Sequence, residues 1–209
     1  MTPNGADIIS NRPILASASA IRAAMLARAG VEIDQQPADL DEAAIISSLI
    51  APPEPLAADD IALVLAQAKA ESVSGDRAGK LVIGCDQTLE LEGRLFQKSA
   101  TMEEARRNLL LMSGKTHLLH SAVVLALDGE TAWSHVETAA MNMRDLSPEF
   151  IGRYLAQAGA AVLSSVGVYQ LEGLGAQLFE KIEGDYFTIL GLPLLPLLAE
   201  LRRRGVIAS

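Results

Sequence analysis

At 209 residues the chain has the length of one domain with a substantial buried core. Half of it is hydrophobic but only 4% is aromatic, which suits a helix-rich α/β protein. A formal net charge of −9 argues against a general nucleic-acid or anionic-membrane binder, and a single cysteine, Cys85, rules out an internal disulfide and a cysteine-rich metal site.

An anionic substrate would have to be met by a local basic pocket or by a metal. One thiol fits a reducing cytoplasm, the expected location. The most apolar late stretch, Ile189 to Leu201, is short and interrupted by Pro193 and Pro196, so no membrane span is expected. Asp7 and Arg12 flank only a brief apolar step, which leaves no secretory segment. Residues 1–11 read as a loose leader within a single domain over 1–209.

Pro13-Ile14-Leu15-Ala16 reads as a short strand, followed by a helix to about Ala29 with Ser19 as its N-cap and Gly30 past its end. A strand running into a serine-rich helix start can hold a phosphate, because free backbone N–H groups and the helix dipole both favour an anion. Arg22, one turn in, would add a forked contact. The plainer alternative is that Ser17 and Ser19 only cap and Arg22 is solvated. Val31 to Gln36 reads as a second strand leading into Asp39-Leu40-Asp41-Glu42. That run is a solvated loop or a helix start, with Asp41 or Glu42 as a possible second metal-side carboxylate. Ala51-Pro52-Pro53-Glu54-Pro55 is a rigid connection, after which Asp59 and Asp60 offer caps for a helix through Ala70. Lys69 near its end also suits the helix dipole.

The segment Lys80 to Asp86 carries the most chemistry. Apolar β-formers run through Gly84 to a carboxylate at the expected strand end, where ligands of open α/β sheets gather. Asp86 there holds a metal, takes a proton from water, or merely caps a turn. Alternation sends Cys85 to the opposite face, as a buried thiol rather than a nucleophile. Leu89–Leu91 and Arg94–Phe96 form a hairpin around Glu92-Gly93, returning Lys98 toward the strand end. Thr101-x-x-Glu104 opens a helix that Ser113-Gly114 stops. Long strands over 117–127 and 131–143 join at Asp128-Gly129, and Ser147-Pro148 starts a helix ending near Gly159. A glycine-spaced loop over 167–175 lets backbone approach a ligand, and a strand over 178–182 and a helix over 192–203 complete the chain.

Taken in order, Leu15-Ala16-Ser17-x-Ser19-x-x-Arg22, Ala66-x-x-Lys69-Ala70, Val82-Ile83-Gly84-x-Asp86, Lys98, Glu104-Ala105, Ser113-Gly114-x-x-His117, Gly173 and Gly191-Leu192-Pro193-Leu194 resemble the Maf family of nucleotide pyrophosphatases along nearly the whole chain. The resemblance implies an α/β fold with a curved mixed sheet flanked by helices, two lobes around a nucleotide cleft. It implies hydrolysis of a nucleoside triphosphate between the α- and β-phosphates with Mg²⁺ or Mn²⁺, and, as a family-level expectation, a homodimer. The family's catalytic aspartate falls on Asp86, its phosphate-binding residues on Ser17, Ser19, Arg22, Lys69 and Lys98, and its acidic loop residue on Asp41, giving Asp86 and Asp41 as the metal side. Gln87 and Glu172 resemble the 7-methyl-GTP pyrophosphatase branch. A carboxylate accepts two hydrogen bonds from the N1–H and 2-amino edge of guanine and favours a positively charged base. Ile21 departs from that branch's usual aromatic, with Tyr169 as an alternative stacking surface. Ala20 and Ser99 stand where the family has proline. A dTTP/UTP pyrophosphatase, and a nucleotide-binding division regulator without turnover, are the alternatives.

Overall fold

The structure is a computed structural model that describes residues 12–51, 53 and 55–208, so the expected leader and part of the proline-rich connection lie outside it. Seven strands form one sheet: β1 (Ile14–Leu15), β2 (Asp34–Gln35), β3 (Val82–Leu91), β4 (Arg94–Phe96), β5 (Thr116–Leu127), β6 (Glu130–Met143) and β7 (Phe179–Glu183). Their order is β2-β1-β3-β5-β6-β7, with β4 also paired to β3. β1 runs parallel to β2 and β3, and all other pairings are antiparallel, so the sheet is mixed. The helices are α1 (Ala20–Arg28), α2 (Glu42–Leu49), α3 (Ala58–Gly75), α4 (Met102–Met112), α5 (Pro148–Ala158), α6 (Tyr186–Ile189) and α7 (Leu194–Arg203), with 3₁₀ turns at Gly159–Ser164 and Leu174–Leu178. No helix among the described residues is long and apolar enough to cross a membrane.

Local chemistry sets most boundaries. Ser19, Thr101 and Ser147 accept hydrogen bonds from the first turns of α1, α4 and α5, and Pro148 starts α5. The two tight hairpins turn on Glu92-Gly93 and Asp128-Gly129, all four residues having positive φ as such turns demand.

The long strands β3, β5 and β6 pass through two hydrophobic cores on one face of the sheet. Ile83, Cys85, Val123 and Leu125 pack with α1 and α7; further along, Leu89, Leu91, Leu119 and Met141 pack with α4 and α5. The other face is covered by α3, whose Ala62, Ala66 and Ala70 recur every four residues and meet Val82, Ala122 and Val124. This small-residue stripe brings α3 very close. A Cβ placed on Gly84 would lie 2.1 Å from the Ala66 carbonyl oxygen and 2.7 Å from Ala70 Cβ. The glycine before Asp86 is therefore a packing requirement.

Three expectations change and one alternative is decided. β3 does not end at Asp86 but continues to Leu91, because β5 pairs with it from Leu118 to Ala126 and the partner strand sets its length. Of the two readings of the acidic run, the helix start holds, as α2. α3 extends to Gly75, with Asp59 and Asp60 in its first turn rather than at its N-cap, which is Ala57. The second strand shrinks to two residues.

Gly84→Ala is expected to cost about 3 kcal/mol, lowering Tm by roughly 6–12 °C. Thermal denaturation followed by circular dichroism checks it; an unchanged Tm would show that α3 is free to move off the sheet.

Candidate active site

The site is built on an interrupted sheet edge. β5 lines one edge of β3 over Val82–Glu90, so β1, paired at Val82–Ile83, and β4, paired at Leu89–Leu91, must share the other edge. Residues 84–88 lie between them. β1 leaves there into the Ser17–Ser19 turn and α1, and β4 returns there with Lys98. Asp86 thus stands mid-strand at a gap, with the two neighbours of its strand diverging around it.

On the α3 face, Lys69 Nζ donates to Asp86 Oδ1 at 2.5 Å and reaches Glu42 Oε1 at 3.0 Å. Lys69 and Asp86 are nearly buried, while Glu42 is half exposed. Thr88 anchors the start of α3 by donating its hydroxyl to the Ala58 carbonyl at 2.7 Å. Two carboxylates sharing one ammonium leave a net negative charge, and each keeps one oxygen outside the pairing with Lys69. Hard oxygen donors of this kind suit Mg²⁺ or Mn²⁺, which usually completes its shell with water and phosphate oxygens. No cluster of three or more acidic, His or Cys ligands occurs among the described residues. The carboxylate paired here is Glu42, not Asp41: Asp41 Oδ1 accepts the Ala44 N–H at 3.0 Å as the N-cap of α2.

On the other side of the gap, Arg22 is held by neutral acceptors. Its Nε donates to the Gly191 carbonyl at 2.7 Å, and Nη1 donates to the Cys85 carbonyl at 2.8 Å and Ser17 Oγ at 3.2 Å. Gly191 has φ 93, and its missing side chain admits the guanidinium, which a Cβ there would meet at 3.2 Å. Arg22 forms no ion pair among the described residues. An oriented guanidinium without a protein carboxylate, beside Ser17, Ser19 and the N-terminus of α1, has the chemistry that suits an anion. Ser19 caps α1, its Oγ accepting the Arg22 N–H at 3.4 Å.

Gln87 projects to the face opposite Asp86, where its Nε2 donates to Ser121 Oγ, the Thr188 carbonyl and the Ile189 carbonyl at 2.9, 3.1 and 3.1 Å. Ile21 is half-buried in the first turn of α1. Lys98 and Glu172 are exposed, and neither is drawn into the Asp86 cluster. Ser99, at the family's proline position, is buried and accepts from Asn108 Nδ2 at 3.0 Å, a tether in place of the ring. Cys85 is buried and its thiol is pushed up to about 11 by that burial, which makes it inert. Tyr169 does not offer a stacking face: its hydroxyl meets His117 Nε2 at 2.7 Å and its ring packs edge-on against Phe179.

A family model described as Maf-like protein matches residues 12–204. The chain belongs to the Maf family. A protein of Mesorhizobium japonicum named 7-methyl-GTP pyrophosphatase is 57% identical over 95% of this chain and 99% of its own. One of Brucella suis biovar 1 with the same name is 57% identical over 93% and 96%. A solved nucleoside-triphosphatase / dITP/XTP pyrophosphatase of Mycobacterium abscessus covers 92% of this chain and 94% of its own, with a TM-score of 0.41 and 15% identity, too distant to bear on function.

In this Maf protein the sequence pattern named Asp86, Lys69, Arg22 and Ser17, and the fold brings them to one gap. It favoured Asp41 over Glu42. The structure makes Asp41 the N-cap of α2, as an Asp followed by Glu-Ala-Ala-Ile-Ile suggests, and pairs the next residue, Glu42, with Lys69. The roles of Ser121, Thr188 and the Gly191 carbonyl carry no sequence signal, because main-chain acceptors are set by tertiary placement.

The His117–Tyr169 contact clamps the glycine loop. Val168, a β-branched residue at φ 61, is held in that left-handed conformation with its carbonyl accepting Tyr154 Oη at 3.0 Å. Burial lowers the His117 pKa from 6.5 to about 4. Between those values the unfolded chain binds a proton that the folded chain refuses, so stability falls as pH drops through this window, by up to about 3 kcal/mol. Urea denaturation at about pH 7 and about pH 4.5 should show this loss in the wild type and a flatter response in His117→Gln. Equal slopes would show that His117 is not the group responsible.

Proposed function

We propose that this protein is a nucleoside triphosphate pyrophosphatase that cleaves the α–β phosphate bond of a modified guanosine triphosphate, 7-methyl-GTP or a close relative, giving the monophosphate and pyrophosphate. The observation that carries the reading is the pairing of Asp86 with Lys69 and Glu42 across a sheet gap from an Arg22 that meets only neutral acceptors. A triphosphate brings the anionic charge that Arg22 lacks. The relatives named above share this chemistry in their names and cover nearly the whole chain.

Arg22, Ser17 and the first N–H groups of α1 grip the phosphates, and exposed Lys98 is available to close on them from the β4 side. Lys69 occupies one oxygen of Asp86, so the other is directed to the attacking water or to the cation. A Mg²⁺ or Mn²⁺ ion would be held by Asp86 and Glu42, with Asp41 beside them, and would neutralise phosphate charge. Positioning and charge stabilisation are most of what phosphoryl chemistry requires. Glu172, exposed on the glycine loop, accepts the guanine N1–H and one amino hydrogen, leaving the other amino hydrogen for a second acceptor, and Gln87 and Ile21 complete base selection. The cytoplasm is where such a substrate arises and where one buried thiol needs no partner.

The test is product analysis with Mg²⁺ or Mn²⁺ and a panel of 7-methyl-GTP, GTP, dTTP, UTP and CTP. Pyrophosphate and monophosphate are expected, fastest from 7-methyl-GTP, with Asp86→Asn lowering kcat about 10³-fold while nucleotide binding persists. A preference for dTTP or UTP would overturn the substrate, and no turnover would overturn the enzyme.

A further inference from the structure

A polar row divides the two cores on the face opposite α3. Gln87, Ser121 and Glu137 occupy paired positions on β3, β5 and β6, and α6 lies across them. Ser121 Oγ donates to the Thr188 carbonyl at 2.7 Å, and the fully buried Thr188 hydroxyl donates to Glu137 Oε2 at 2.5 Å. Asp185 caps α6 by accepting the Phe187 and Thr188 N–H groups at 2.9 and 3.1 Å. Gln87 presents its amide toward two main-chain carbonyls, which only accept, so the atom facing them is the nitrogen. Both N–H bonds are consumed inside the protein. Its oxygen, Oε1, is the one atom left to meet a ligand, and it is an acceptor.

We propose that Glu137 and Thr188 are positioning residues for base selection, holding α6 against the row so that Gln87 shows its carbonyl oxygen to the nucleobase. The inference rests on the guanosine triphosphate reading above. A fixed acceptor favours a base edge with adjacent N–H donors, as guanine has, over a pyrimidine edge whose single N–H lies between two carbonyls. Without the Thr188–Glu137 tether, α6 loosens and the Gln87 amide is free to turn over, which admits either edge. Phosphate binding suffers less, because Arg22 keeps Ser17 and the Cys85 carbonyl as acceptors outside this segment.

Steady-state kinetics of the full chain with Mg²⁺ test this, using 7-methyl-GTP and UTP. Thr188→Val should lower the ratio of kcat/KM for 7-methyl-GTP over UTP about tenfold, through KM for 7-methyl-GTP, with kcat within about twofold. Thr188→Ser should restore the ratio. Glu137→Leu, at a partly exposed position, should give the same shift and decides the matter if Thr188→Val fails to fold. Equal losses with both nucleotides, or an unchanged ratio beside a lowered Tm, would overturn the proposal and leave the tether a purely structural one. A wild-type protein without guanine preference would overturn the substrate reading itself, and is seen before any variant is compared.

Discussion

The contact between Lys69 and Asp86 constrains everything around it. Two nearly buried, oppositely charged groups must be desolvated together, and their attraction offsets that cost only when the geometry is good. Here the geometry comes from backbone: α3 must lie almost on top of β3. Only a helix face of alanines against a strand glycine allows it, and Gly84 with Ala66 and Ala70 provides both. Glu42 then adds a second anion to Lys69 from α2, leaving the cluster negative and open on the gap side. Asp86, its cation and the small residues beneath them are one packing solution.

The gap itself follows from sheet topology. β3 is long because β5 is long, whereas β1 and β4 are short and meet β3 only at its two ends. Adjacent residues of β3 point to opposite faces, so Asp86 faces α3 and Gln87 faces α6, yet both flank the same unpaired edge. The unpaired edge is therefore flanked by the Asp86–Lys69 pair on the α3 face and by Gln87 and Arg22 on the side of α1 and α6. The segment from Asp185 to Gly191 serves both, bonding Gln87 through the Thr188 and Ile189 carbonyls and Arg22 through the Gly191 carbonyl.

What was legible in the sequence was what depends on local patterns. Caps at Ser19, Thr101 and Ser147, turns at Glu92-Gly93 and Asp128-Gly129, and the long β5 and β6 all follow from residues within a few positions of one another. Asp86, Lys69 and Arg22 were legible because their spacing forms an ordered pattern. The end of β3 was not, since its length is decided by a strand some thirty residues later. That Asp41 caps a helix while Glu42 meets Lys69 turned on whether a short alanine-rich run became helical. Tyr169 reads as a free aromatic in a glycine loop, but His117 and Phe179, distant in sequence, draw it into the core.

Because β3, β5 and β6 each run unbroken through both cores, the two lobes share a spine. The pairings at Gln87, Ser121 and Glu137 are regular, and the irregularity in β5–β6 lies between Leu125 and Ala126, well away from that boundary. Swinging one lobe against the other would require bending three hydrogen-bonded strands at their best-paired level. A hinge between the two cores would thus have to bend paired strands rather than turn a few loop residues. The exposed Lys98 and Glu172 side chains both lie outside these paired strands, so their placement is set by connections rather than by the spine.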